Sequence, residues 1–217
     1  MFNIIKKIIP AYLRIKLKNK FRNITLPKMI HGYINKNGKC LPNTRISNSC
    51  LIYHPEKIDI EDNVFIWHYT ILDGTGCLKI KEGTQIGAWV GLFTHSSHIS
   101  IRLLGKNYLN IPEYEKPSFI IAPIEIGKYV FIASGAFILP GVKIGNYSIV
   151  TAYSVVKRDI APYTIVAGNP ARLIGRTFDL DLKEFEKLNP QDKWYDFVDK
   201  EYIENIKKIK RNMNKTR

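Results

Sequence analysis

The first 55 residues of this 217-residue chain contain no aspartate or glutamate, although they hold eleven lysines and arginines. Further cations close the chain, and the formal net charge is +14. Basic ends of this kind suit nucleic acid, anionic lipid or phosphorylated ligands. An AT-rich genome that favours lysine, isoleucine and asparagine also produces such a composition, so charge alone selects no partner.

Cysteine is scarce as well. The chain has only Cys40, Cys50 and Cys77, an odd number with no close pair. That spacing argues against a disulfide framework and against a zinc site. We therefore expect a protein of the reducing cytoplasm with no bound metal.

Long hydrophobic runs are absent too. No stretch approaches the roughly 18 apolar residues of a membrane-spanning helix. Near the start, isoleucines surround Lys6 and Lys7, but there is no continuous apolar core or small-residue cleavage site, so we expect no signal peptide. Residues 1–30 are predicted to be a basic helical extension. It could cap one end of the protein core or lie on the inner face of an anionic membrane, and both roles stay open.

What the chain does contain is a six-residue repeat. Aliphatic residues recur at every sixth position, and small or β-branched residues mostly follow four places later. Neither a helix nor an ordinary amphipathic strand has this period, whereas a short strand plus a turn, stacked coil on coil as a parallel β-helix, does. The repeated positions are Ile60, Ile66, Leu72, Ile80, Ile86, Leu92, Ile126, Ile132, Ile138, Ile144, Val150 and Val156.

The repeat is interrupted once, and this sets the predicted organisation. Residues 31–176 are predicted to form the β-helix domain, with an inserted loop at 99–123. A helical pattern then makes residues 177–217 a C-terminal extension that covers the open edge of the solenoid. Insertions in repeat folds map to surface loops, which often lie on the binding face.

The segment from Ile132 to Val150, a following Lys-Arg-Asp-Ile-Ala-Pro stretch and Val166-Ala-Gly-Asn-Pro-Ala-Arg resemble the hexapeptide-repeat acyltransferases. Within that family the sequence is similar to the xenobiotic, maltose and galactoside acetyltransferases and to the O-acetyltransferases of bacterial surface polysaccharides. The resemblance covers roughly residues 58–176. It implies a mainly β protein built as a left-handed parallel β-helix, a homotrimer, and acetyl coenzyme A as co-substrate.

The resemblance also places a catalytic histidine just before the inserted loop, where both His95 and His98 occur. His98 is favoured, because its Ser-His setting matches the family motif and it adjoins the loop. A neutral imidazole can take the proton of a sugar hydroxyl as that hydroxyl attacks the thioester. The orienting carboxylate is left open between Asp73, Glu113 and Glu115. Ser134 is a candidate for stabilising the charge that develops on the thioester oxygen.

For the coenzyme, the resemblance implies a groove between neighbouring subunits along the later coils. Cations there would meet the phosphates, and Trp67, Tyr69 and Trp89 could stack on the acceptor sugar. The implied cofactor-binding residues are Ala152, Lys157, Arg158, Gly168, Asn169, Pro170 and Arg172.

The function expected from this resemblance is an acetyl-CoA-dependent O-acetyltransferase acting on a sugar hydroxyl of a surface polysaccharide or its precursor. It would work in the cytoplasm without nucleic acid, and peripheral contact with the inner membrane face is left open. N-acetylation of an amino sugar nucleotide, or acetylation of another small molecule, is the main alternative. Outside the transferases, a γ-type carbonic anhydrase using His68, His95 and His98, or a non-catalytic solenoid, stays open.

Overall fold

The computed structural model describes residue 13 and residues 26–215, so the predicted N-terminal extension lies almost entirely outside the described residues. Between residues 26 and 215 the chain forms nineteen short strands and three α-helices. The strands are β1 (Met29–Ile34), β2 (Cys40–Ser47), β3 (Leu51–Tyr53), β4 (Ile58–Ile60), β5 (Phe65–Ile66), β6 (Ile71–Asp73), β7 (Leu78–Ile80), β8 (Gln85–Ile86), β9 (Gly91–Leu92), β10 (His95–Ser96), β11 (Ile120–Ile121), β12 (Ile124–Ile126), β13 (Phe131–Ile132), β14 (Phe137–Ile138), β15 (Lys143–Ile144), β16 (Ile149–Val150), β17 (Val155–Val156), β18 (Thr164–Ala167) and β19 (Arg172–Arg176).

Three sheets form the walls of a triangular prism. Face A has the strand order β1-β2-β5-β8-β13-β16-β18-β19, face B has β17-β14-β9-β6-β3, and face C has β15-β12-β7-β4. Strands of successive coils pair in parallel within each face, and in these three sheets the antiparallel pairings are those of the end strands β1 and β19. This arrangement is a parallel β-helix.

The six-residue repeat builds the core of this prism. On face A, Ile66, Ile86, Ile132 and Val150 lie in register on consecutive coils. The repeated aliphatic residues are at most 3% exposed, and the residues four places later are also buried, except Ser96 where the repeat breaks. Each coil therefore buries one aliphatic residue per face, stacked on its equivalents above and below.

The outer surfaces of the three faces differ in character. On face C the outward row alternates in charge, through Asp59, Lys79, Glu125 and Lys143. The outward rows of the other two faces are largely apolar. They are Arg45, Phe65, Gln85, Phe131, Ile149 and Ile165 on face A, and Leu51, Ile71, Gly91, Phe137 and Val155 on face B.

The interruption of the repeat projects from the corner between faces B and C. The chain leaves through β10, forms helix α1 (Ser100–Leu104) and two 3₁₀ turns, and returns through β11, which pairs antiparallel with β10. The N–H of Ala122 then bonds to the carbonyl of Thr94 at 2.9 Å and closes the base of the excursion.

After β19, helices α2 (Thr177–Phe185) and α3 (Lys200–Lys215) pack on the corner between faces C and A. Left-handed backbone places three tyrosine rings at that corner, and Tyr202 of α3 stacks on the middle one. The stacked corner rings are Tyr129, Tyr147 and Tyr163. Among the described residues, no helix has the length and apolar character needed to span a membrane.

The buried ladder gives a direct stability prediction. Ile132 is fully buried between Ile86 and Val150. Ile132→Ala should lower the free energy of unfolding by about 2–5 kcal/mol, because it removes buried surface and leaves a cavity that rigid neighbouring coils cannot fill. Lys143→Ala, on the exposed row of face C, is the control and should change it by less than about 0.5 kcal/mol. Urea titrations at equal protein concentration measure both, and equal effects would contradict this account of the core.

Candidate active site

A histidine–carboxylate pair lies at the corner between faces B and C, where the repeat breaks. His95 Nδ1 is 2.7 Å from Asp73 Oδ2. Asp73 ends β6 on the coil below and is only 2% exposed, whereas 42% of the His95 side chain is exposed. Phe119, on the returning arm of the excursion, stacks on the imidazole with a centroid distance of 6.0 Å. The pair thus joins a buried anion to an accessible base.

Asp73 is ionised although it is buried. Burial alone would raise the pKa of Asp73, but hydrogen bonds from Thr75, His95 and Thr94 outweigh it and lower that pKa to about 2. Oδ1 accepts from the backbone and hydroxyl of Thr75 at 2.9 and 2.6 Å. Oδ2 accepts from the backbone and hydroxyl of Thr94 at 2.8 and 3.0 Å, besides His95. Every one of these partners donates, so the site is built for a carboxylate.

The carboxylate also determines which nitrogen of His95 carries the proton. An ionised carboxylate only accepts hydrogen bonds, so Nδ1 must be the donor. The neutral ring then keeps its lone pair on Nε2, which has no hydrogen-bond partner among the described residues. This is the tautomer that a general base needs.

His98, the histidine favoured by the sequence, has a different setting. Its Nδ1 lies 2.8 Å from the hydroxyl of Ser96, both groups are exposed, and its backbone carbonyl accepts from Arg102. In the described residues no carboxylate contacts its ring, and Glu113 and Glu115 on a 3₁₀ turn bond to neither histidine. The role of His98 stays a prediction, while the geometry favours His95.

The second group of predicted residues lies along the corner between faces A and B. Ser134 and Ala152 occupy equivalent positions on neighbouring coils, before β14 and β17. The Ser134 hydroxyl accepts the N–H of Ala88 at 3.2 Å, so its own proton is available to a ligand. Within the described chain, the backbone N–H groups of Ser134 and Ala152 have no hydrogen-bond partner. Free donors in a row can hold the polar groups of an extended ligand.

Within one chain, His95 and Ser134 are not neighbours. Ser134 precedes β14 and His95 follows β9, and these strands pair in parallel on face B. The two residues therefore lie at opposite ends of that face, with the stacked rings of Phe93 and Phe137 between them. A single chain does not bring the base and the donor row together.

The predicted phosphate-binding cations meet at the C-terminal end of the prism. Lys157, Arg158 and Arg172 line one cavity of about 510 Å³, together with Arg176. Its floor is the C-terminal end of the core, formed by the buried residues Val156, Ile160 and Val166. Pro170 also lines it, and the turn that contains it is held by hydrogen bonds from Gly168 N–H to Ser154 and from Val155 N–H to the Gly168 carbonyl. Asn169 precedes Pro170 in this turn, and the bond between them is cis.

The aromatic residues predicted to bind the acceptor lie on the same A–B corner, nearer the N-terminal end. Tyr69 and Trp89 adopt left-handed backbone and stack, with ring planes 4° apart and a centroid distance of 6.1 Å. Trp67 also lies at this corner, and all three are at least 45% exposed. They form an exposed aromatic surface.

Three features of these sites were not assigned from the sequence. Asp73 was one of three candidates, although the coil spacing of about 20 residues that pairs β6 with β9 places it below residues 93–95. No sequence pattern marks Phe119 or Arg176 as a site residue, because their contacts depend on how the excursion and β19 fold back. In residues 26–215 no three His, Cys, Asp or Glu side chains converge as a metal site would require.

Comparison with known proteins places this architecture in a family. The model of the bacterial transferase hexapeptide, with six repeats, matches residues 123–158. The chain is 30% identical over 135 residues to a dTDP-4-amino-4,6-dideoxy-D-glucose acyltransferase of Escherichia coli, spanning 61% of this chain and 68% of that protein. It is 40% identical over 131 residues to the galactoside O-acetyltransferase of E. coli K12, spanning 60% of this chain and 51% of the relative.

A solved structure agrees with this placement. A hexapeptide-repeat-containing acetyltransferase of Vibrio cholerae, complexed with acetyl coenzyme A, matches 59% of this chain and 64% of its own, with 29% identity and a TM-score of 0.50. The left-handed β-helix implied by the family resemblance is thereby confirmed. The chain therefore belongs to the hexapeptide-repeat transferase family, and it is an acyltransferase.

Proposed function

We propose that this protein transfers the acetyl group of acetyl coenzyme A to a hydroxyl of a sugar in a bacterial surface polysaccharide or its precursor. The observation that carries the proposal is the His95–Asp73 pair at the break in the repeat, in which Nδ1 contacts the carboxylate and Nε2 has no hydrogen-bond partner among the described residues. The acetyl coenzyme A complex of the V. cholerae relative and the named activity of the E. coli galactoside O-acetyltransferase support the donor and the acceptor class.

In the proposed reaction His95 Nε2 takes the proton of the sugar hydroxyl as its oxygen attacks the thioester carbonyl. A carbon–oxygen bond forms and the carbon–sulfur bond breaks. The proton then passes from the imidazolium to the departing thiolate, so the products are an ester and free coenzyme A. Asp73 stabilises the imidazolium during this exchange, and no acyl-enzyme forms.

The donor row supplies the second part of the chemistry. Negative charge grows on the thioester oxygen as the hydroxyl attacks, and preorganised donors stabilise it. The free N–H and hydroxyl of Ser134 fit that role, and the N–H of Ala152 on the next coil fits the amide groups of the coenzyme arm. The cationic cavity beyond them, with Lys157, Arg158 and Arg172, suits the phosphates.

This scheme requires more than one chain, since His95 and Ser134 lie at opposite ends of face B. The outward rows of faces A and B are largely apolar, while face C carries alternating charges. Two apolar faces on one prism suit a closed ring in which each protomer contacts two neighbours. We propose a homotrimer in which the A–B corner of one protomer adjoins the His95 of the next.

A second acceptor class has specific support. The 30% identical relative is named as an acyltransferase of a dTDP-linked amino sugar. The same base could take a proton from an attacking amine, so N-acylation of a sugar nucleotide is the alternative. A membrane role for residues 1–30, cytoplasmic location and the absence of a nucleic-acid partner stay predictions.

The test is release of coenzyme A from acetyl coenzyme A, followed with a thiol reagent. The acceptors are p-nitrophenyl glycosides of galactose, glucose and N-acetylglucosamine, and dTDP-4-amino-4,6-dideoxyglucose. Turnover with a glycoside supports O-acetylation, and turnover with only the amino sugar nucleotide supports the alternative. Light scattering measures the mass of the assembly, which should be that of a trimer. No turnover with any of these acceptors would contradict both forms of the proposal.

Arg172→Gln tests the coenzyme assignment. We expect the KM for acetyl coenzyme A to rise about 10-fold, because a charge-assisted contact to phosphate is lost, while the acceptor KM stays unchanged. Lys143→Gln removes an exposed cation of face C, and it should change neither KM. An unchanged KM for acetyl coenzyme A in Arg172→Gln would place the phosphates elsewhere.

A further inference from the structure

The A–B corner changes in side-chain size along the prism. On three successive coils the two residues at the corner are small: Thr151–Ala152, Ala133–Ser134 and Gly87–Ala88. Gly87 is packed so closely that a Cβ there would meet the Ser134 nitrogen at 2.7 Å. We call this row of small residues the corner groove. Neighbouring coils are about 4.8 Å apart, so the groove runs roughly 10 Å from Ala152 to Ala88.

One coil further toward the N-terminus the groove ends. There the corner pair becomes Trp67–His68, and the Tyr69 ring continues the aromatic wall begun by Trp89. Because the cationic cavity lies at the opposite end, a coenzyme lying in the groove would direct its acyl group toward this coil. The attacking hydroxyl must then arrive beside Trp67 and His68.

His68 is held in one orientation by buried polar groups. Its Nδ1 is 2.7 Å from the Ser47 hydroxyl, and Ser47 is only 3% exposed. Ser47 Oγ accepts the N–H of Ser49 at 3.2 Å and lies 2.9 Å from the Ser49 hydroxyl, which itself accepts the N–H of Tyr69. With the Ser49 hydroxyl donating to Ser47, the Ser47 proton is directed to His68 Nδ1. This favours the tautomer with the ring proton on Nε2. That nitrogen has no hydrogen-bond partner among the described residues, and the half-buried ring lies between Trp67 and Tyr69.

We propose that His68 binds the acceptor at the N-terminal end of the corner groove, where its Nε2–H donates to an oxygen of the sugar. Ser47 positions the His68 ring. The inference rests on the proposed function and adds a specificity residue to it. The stacked rings of Tyr69 and Trp89 present an apolar face to the sugar, while His68 supplies the directional contact. A stacking surface alone recognises a ring face, whereas a fixed donor selects the position of an oxygen.

Two substitutions separate these roles. His68→Phe keeps a ring of similar size without a donor, and should raise the acceptor KM about 10-fold, the loss expected for one hydrogen bond. His68→Gln retains an amide donor at a similar reach, and should recover most of the affinity. Neither should alter the KM for acetyl coenzyme A. Ser47→Ala should raise the acceptor KM by a smaller factor, because the ring is no longer held.

The measurements are steady-state kinetics with the best p-nitrophenyl glycoside, and binding of that glycoside followed by tryptophan fluorescence, with melting temperatures as a check on folding. An unchanged acceptor KM in His68→Phe, with an active wild type, would overturn this inference and leave the proposed function standing. A KM that rises equally in His68→Phe and His68→Gln would also overturn it, because the donor would not matter. A wild-type protein that neither turns over nor binds any of the glycosides would overturn O-acetylation of sugars and this inference together.

Discussion

His95→Ala is expected to lower kcat by about 10²-fold or more while the protein remains folded and its assembly unchanged. The substitution removes the only ring that combines an accessible nitrogen with a buried carboxylate in the described chain. Without it the sugar hydroxyl must lose its proton to water as it attacks the thioester. Because 42% of the side chain is exposed, its loss should leave the melting temperature nearly unchanged.

His98→Ala is the matched control, since it removes an exposed imidazole three residues away. We expect its kcat to stay within a few-fold of the wild-type value. The opposite result, with His98→Ala inactive and His95→Ala active, would restore the assignment that the sequence favours. If both variants kept full activity, the histidine-base mechanism would be wrong.

Asp73→Asn is expected to affect both catalysis and stability. All five hydrogen bonds to the Asp73 carboxylate come from donors on Thr75, Thr94 and His95. An asparagine in either orientation turns its NH₂ group toward some of these donors, so at least one buried group loses its partner. We expect kcat to fall by about 10²-fold, because His95 is no longer held in the productive tautomer.

The depressed pKa of Asp73 also makes stability depend on pH. The folded pKa of about 2 is below the value of about 3.9 for an unfolded aspartate. The ionised group therefore contributes stability that is fully present above about pH 5 and is lost as pH falls toward 2, a contribution on the order of 2 kcal/mol. In Asp73→Asn this part of the acid sensitivity should disappear, because the variant also lacks the contribution that the ionised Asp73 makes to stability at neutral pH.

Urea titrations between pH 3 and 7 measure the stability effect, and kinetics at a temperature where the variant is fully folded measure the catalytic one. Asp59→Asn, on the outward row of face C, is the control and should alter neither. A variant with reduced stability but wild-type kcat would show that Asp73 serves only the fold. A variant with unchanged stability would contradict the hydrogen-bond network as the cause of the low pKa.

The repeat can be read from the sequence because it is local. A buried aliphatic residue every six positions specifies a three-sided coil of 18 residues, so the spacing alone places Ile132 and Val150 on the same face of neighbouring coils. The break in the repeat likewise locates the site region, since a coil that stops pairing must leave the wall. The exit turn at Gly168, with φ of +96°, is marked by residue types that favour such a turn.

The roles of the two histidines could not be decided in this way. The two histidines are three residues apart, and the local Ser-His pattern favours His98. Asp73 is 22 residues away from His95 in sequence, and only the stacking of β6 below β9 brings them within 2.7 Å. His68 has the same dependence, because Ser47 reaches it from the preceding coil.

The sequence by itself determined the β-helix, its interruption, the family and the cations that line the C-terminal cavity, because each of these depends on residue type at fixed spacing. Tertiary structure decided which histidine meets a carboxylate, where the corner groove ends and which faces are left apolar. Those features depend on contacts between residues about 20 positions apart, and such contacts exist only after the coils have stacked. The physical reason is that a proton's position depends on the geometry of its partners over fractions of an ångström, and residue spacing along a chain carries no such information.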